Sequence, residues 1–112
     1  MSIKLTKDAN ILLAKMYKKY LERIEEGSSK TSSARFNYVK NDYKDFDVDE
    51  WHYDDLVTTL KELSNAKLID LVPYVDNSGR LSISSEGLEF SENKFKNGVK
   101  GVLEFFKRKT IH

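Results

Sequence analysis

The stretch DLVTTLKELSNAKLIDLVPYVDNSGRLSISSEG, Asp55 to Gly87, decides the fold of this chain. Leu56, Leu60 and Leu63 recur at three- and four-residue spacing, with Val57 beside them, and predict an amphipathic helix near Glu50 to Ala66 that Asp47 or Asp49 can cap. A strand is predicted over about Leu68 to Val75. Pro73 has no N–H to give to a ladder, so its amide side must face an edge or solvent. Turn residues fill Asp76-Asn77-Ser78-Gly79, where Gly79 tolerates a positive φ. In the following run, Leu81 and Ile83 alternate with polar neighbours, as a half-buried strand requires. Ser84 or Ser85 then caps a further helix. Lys67 stands where the helix must be left, and this predicts a left-handed or frayed C-cap.

Working outward toward the N-terminus, Ala9, Leu12, Leu13, Met16, Tyr17, Tyr20, Leu21 and Ile24 keep a helical period over Lys7 to Glu26. Thr6 is the expected cap, Asp8 sits in the first turn, and Gly27-Ser28-Ser29 ends the helix. Ala34, Phe36, Tyr38 and Val39 suggest a short second helix to about Asn41, or a strand. From Asp42 to Glu50 acids alternate with apolar residues, and Phe46 and Val48 are expected to pin an ordinary loop. Toward the C-terminus, Leu88 and Phe90 open a helical region with a break expected around Ser91 to Asn93. Phe95, Val99, Val102, Leu103 and Phe106 then make a stripe bordered by lysines.

The pattern Leu56-x3-Leu60-x2-Leu63-x2-Ala66-x-Leu68-Ile69, a hairpin, then Leu81-x-Ile83-Ser84-Ser85-Glu86-Gly87 resembles the winged helix-turn-helix superfamily over about residues 50–90. Ile83, Ser84 and Gly87 match its element after the wing. The long terminal helices are distantly similar to the multiple-antibiotic-resistance-regulator and phenolic-acid-regulator groups, a resemblance that implies dimers joined through those helices. The expected fold is thus α+β, mostly α: one winged-helix domain over residues 1–112, with long N-terminal and C-terminal helices and a short two-stranded wing.

The resemblance implies a transcriptional regulator whose third helix enters the major groove while the wing meets the backbone or minor groove. Thr58, Thr59 and Lys61 are then the helix contacts, and Lys30, Arg35, Lys40 and Arg80 meet phosphates. The charge layout opposes this. Net charge is +1, yet residues 1–40 sum to +5, 41–55 to −6, 56–93 to −3 and 94–112 to +5. Groove recognition favours Arg, Lys, Asn and Gln, and carboxylates near the third helix repel phosphate. The alternative is a protein-interaction scaffold that uses the acidic 41–55 segment or the terminal helices, because function is grafted onto folds.

Phe105 and Phe106 are neighbours and cannot both point inward on one helix. With Tyr17 and Val102 they form the expected homodimer face. His52 lies among Asp49, Glu50, Asp54 and Asp55, a weak cue for a metal that reads more simply as a solvated helix start. The chain has no cysteine, no phosphate-cradling glycine loop and no nucleophile elbow. Neither an enzyme nor a cofactor is expected. The N-terminus lacks a signal peptide's apolar core and no stretch reaches the length of a membrane span, so a cytoplasmic protein is expected.

Overall fold

The computed structural model describes residues 3–74 and 78–110. The chain runs α1 (Lys7–Glu25), α2 (Lys30–Ser33), β1 (Arg35–Val39), a 3-10 turn (Lys44–Phe46), α3 (Tyr53–Asn65), β2 (Ile69–Tyr74), β3 (Ser78–Ile83), α4 (Ser85–Lys94) and α5 (Val99–Thr110). It is an α+β protein, mostly helical, with a three-stranded antiparallel sheet in the order β1-β3-β2.

α1 starts where expected: Thr6 Oγ1 accepts from the Ala9 amide at 3.2 Å. Its buried stripe of Ala9, Leu12, Leu13, Ala14, Met16, Tyr17 and Tyr20 forms the centre of the core. Burying each large side chain of this kind contributes about 1.5–3 kcal/mol. Gly27, at φ 104°, ends the helix, with Ser28 N–H bonded to Arg23 O and Gly27 N–H to Ile24 O. This is a Schellman motif. Phe36, Tyr38, Phe46, Val48, Leu56, Leu60, Leu63, Leu68, Ile69, Leu81 and Ile83 complete the core with Phe95 and Val102.

Of the two alternatives expected from Ala34 to about Asn41, the strand is the one found: β1, which follows the single turn α2. The burial alternates along Arg35–Val39, with Phe36 and Tyr38 inward. A hydrophobic period of two allows no helix to bury both rings. β1 pairs with β3, Phe36 opposite Leu81 and Tyr38 opposite Gly79, so the expected two-stranded hairpin is part of a three-stranded sheet. Arg23 joins this region to α1. Its guanidinium lies 4.5 Å from the Phe36 ring centroid, donates to Ser33 O and Arg35 O, and stands 3.5 Å from Asp45 Oδ2.

Phe46 and Val48 pin the acidic loop as expected, both fully buried, with Phe46 stacked 5.4 Å from Phe36. Among the described residues β2 pairs with β3 alone, which leaves Pro73 on an edge strand. Val75, Asp76 and Asn77 of the expected turn lie outside the described residues. Gly79 does not take a positive φ; it is a buried strand residue beneath the Tyr38 ring. The C-terminal helical region breaks at Phe95–Gly98 rather than at Ser91–Asn93, through Asn97 (φ 77°) and Gly98 (φ 62°). α5 thereby turns back and packs on α1. No helix among the described residues is long and apolar enough to cross a membrane.

Candidate nucleic-acid interface

α3 begins at Tyr53 after His52, whose side chain makes no capping bond, so neither Asp47 nor Asp49 caps it. Asp54 and Asp55 occupy the first turn instead, where negative charge complements the helix dipole. The helix presents Leu56, Thr59, Leu60 and Leu63 to the core and leaves Asp54, Asp55, Thr58, Lys61 and Asn65 exposed. Thr59 is therefore corrected as a groove contact. Its side chain is buried and its hydroxyl donates to Asp55 O at 2.7 Å within the helix. Glu62 is occupied as well, accepting from the Thr6 amide at 2.8 Å and the Thr6 hydroxyl at 2.7 Å.

The exit from α3 is a second Schellman motif. Leu68 N–H bonds to Leu63 O and Lys67 N–H to Ser64 O, with Lys67 at φ 65° as the lysine predicted. Ser84 locks this exit to the start of α4. Its amide donates to Leu68 O, its hydroxyl donates to Lys67 O, and the same hydroxyl accepts from the Gly87 amide.

The outer face of the sheet brings Arg35 and Arg80 together. With Asn37, Asp70, Val72 and Ser82 they line a shallow depression of about 510 Å³. Asn37 lies opposite Arg80, and Asp70 opposite Ser82. Asn37, Ser82 and Asp70 are additional to the residues expected from sequence; the period of two along Arg35–Val39 is the signal that groups Asn37 with Arg35. Lys30 opens α2, and Lys40 lies in the turn after β1, both exposed. Neither belongs to the depression.

The expected dimer face is divided. Tyr17 and Val102 are core residues, 4% and 0% exposed, and cannot meet another chain. Tyr17 stacks on Tyr20 and on Phe95, each at 6.1 Å. Phe105 and Phe106 are both half-buried, Phe105 packing edge-on to Phe95 at 5.3 Å, and the exposed apolar residue of α5 is Leu103. The two rings share the helix flank because the break at Phe95–Gly98 brings Phe95 beneath Phe105.

Burial raises the pKa of two tyrosines in this part of the molecule. Tyr38 is raised by burial and then by Tyr53, and Tyr53 by burial and then by Asp54. Among the described residues, no three His, Asp or Glu side chains come together as a metal would require. Compared with family models, curated proteins and solved structures, the chain finds no match in any of the three.

Proposed function

We propose that the chain is a winged helix that binds double-stranded DNA as a small cytoplasmic transcriptional regulator. The observation that carries this reading is topological. The order α1, α2, β1, 3-10 turn, α3, β2, β3, with β3 between β1 and β2, supports a winged-helix reading in which the 3-10 turn stands in place of a second helix. α3 then serves as the recognition helix through Thr58 and Lys61. Arg35 and Arg80 on the sheet, with Lys30 and Lys40, supply the phosphate contacts.

Four such contacts define the test. A fluorescent duplex without a chosen sequence is titrated at low and moderate salt. Neutralising about four phosphates predicts a loss of about 100-fold in affinity between 50 and 200 mM salt. Arg35→Ala and Arg80→Ala each lower the salt slope by about one. Absence of binding at the lower salt rejects the reading.

A second reading has its own support. Asp45, Asp47, Asp49, Glu50, Asp54 and Asp55 are all exposed around the start of α3, where a recognition helix meets its groove. Those carboxylates suit a basic protein surface better than a phosphate backbone. In that case the winged helix is an interaction scaffold, and charge-reversing Asp54 and Asp55 leaves any duplex binding absent while abolishing partner capture.

A further inference from the structure

The two edges of the sheet are treated differently by the chain. In β3 the Ile83 amide bonds to Ala34 O on the β1 side, and the Ser84 amide to Leu68 O on the β2 side. Main-chain groups alternate in direction along a strand. Asp70 and Val72 therefore face β3, and the main-chain groups of Ile69, Leu71 and Pro73 face outward. On β1 the outward residues are Arg35, Asn37 and Val39.

The β1 edge is closed at both ends. Arg23 donates to Arg35 O at 2.6 Å, and Val39 exchanges both of its main-chain bonds with Asp42 at 3.0 Å. On β2, no described residue bonds to the outward groups of Ile69 or Leu71. A groove of about 370 Å³ runs beside them, lined by Ser64, Lys67, Leu71, Val72 and Glu86 among others. Leu71 is half-buried at this edge, and Val72 is 45% exposed on the adjoining face. An open row of donors and acceptors is a template for another strand.

We propose that β2 pairs antiparallel with β2 of a second copy, about a twofold axis at Leu71, to give a continuous six-stranded sheet. The donor pattern selects this register. Centred on Leu71, the strands exchange two bonds between the leucines, and each Ile69 N–H reaches Pro73 O of the other copy. That makes four bonds. Centring on Asp70 also makes four, but it sets two carboxylates directly opposite, which is destabilising. Among the described residues, centring on Val72 keeps two, because Pro73 has no N–H to give.

The Leu71 register places Asp70 opposite Val72 of the other copy and covers both leucines on the core side. Pro73 limits the ladder's length, and the closed β1 edge prevents continuation. The assembly ends as an isologous dimer. The inference is independent of DNA binding.

The chain has no cysteine, which gives a direct test. In the proposed pairing the α-carbons of Asp70 and of Val72 from the other copy are about 4.5 Å apart, as in other non-hydrogen-bonded antiparallel pairs. That separation suits a disulfide. The double variant Asp70→Cys/Val72→Cys is expected to oxidise to a covalent dimer with full retention of helical ellipticity. Each single variant, whose own cysteines sit diagonally across the axis, stays largely monomeric under the same oxidant. Sedimentation of the unmodified chain from micromolar to millimolar concentration is expected to show a monomer–dimer equilibrium, and Leu71→Asp to abolish it. A chain that stays monomeric throughout, a dimer indifferent to Leu71→Asp, or single variants that cross-link as readily as the double one would overturn the proposal.

Discussion

Gly87 and Lys67 occupy the same joint and make opposite demands on it. A Cβ at Gly87 would overlap the carbonyl oxygen of Leu68 and stand 2.9 Å from Ile83 Cγ2. The Leu68 carbonyl is fixed, since it accepts from the Ser84 amide. Gly87→Ala therefore displaces α4 from the exit of α3 and is expected to destabilise by about 2–3 kcal/mol, as overpacking against backbone does. Urea unfolding measures it, and an unchanged midpoint refutes the account. At Lys67 the side chain carries the cost of a left-handed φ that glycine adopts freely, as Gly27 does at the end of α1. Lys67→Gly is expected to stabilise by about 0.5–1 kcal/mol, read as a higher thermal midpoint. Gly87 thus has a steric reason in this chain, and a residue with a side chain at position 67 has a measurable cost.

At the scale of elements, Glu62 couples two helices. Its carboxylate takes both the amide and the hydroxyl of Thr6, while that hydroxyl also receives the Ala9 amide as the cap of α1. Glu62→Ala removes two charge-assisted bonds at an exposed site and is expected to cost about 1 kcal/mol. Amide exchange in the first turn of α1 is expected to quicken; loss confined to α3 would refute the coupling.

The same elements show what a sequence of this kind displays and what it hides. α1 and α3 are legible because their apolar period runs over many residues, and the α3-to-hairpin passage because Lys67, Pro73 and Ser84 are local signals. β1 is ambiguous because its period of two runs over only five residues, while Ala34 and Tyr38 also stand at a helical spacing of four. Only the long-range pairing of Phe36 with Leu81 decides between them. The break before α5 is displaced because Ser91 is fully buried inside α4, while the turn is made by Asn97 and Gly98. Of the candidate site, Arg35 and Arg80 come to line one depression through β1–β3 pairing, a juxtaposition no local pattern encodes. Thr58 and Thr59 differ only in helical phase, by 100° around the axis. That angle decides which one reaches solvent.

Over the whole molecule, the aromatic side chains bind the layers together and set the alkaline limit of the fold. Tyr17 and Tyr20 on α1 are raised in pKa, by burial first and then by the charge of Glu92 on α4. Tyr38 on β1 and Tyr53 on α3 are raised too, again by burial first, and their rings lie 6.2 Å apart. An unfolded tyrosine ionises near 10. Because the folded values lie above this, the native state holds these four protons more tightly than the unfolded chain does. Their contribution to stability is complete below pH of about 10 and is lost as pH rises from there through the raised values. The four rings come from three different elements of one core, so their ionisation and the loss of packing are coupled. In a variant that keeps only these four tyrosines, Tyr43→Phe/Tyr74→Phe, tyrosinate absorbance and far-ultraviolet ellipticity followed together above neutral pH should therefore change in one steep step, displaced above the titration of the same chain unfolded in urea. Four independent ionisations with the ellipticity intact would show that these hydroxyls reach water without opening the core.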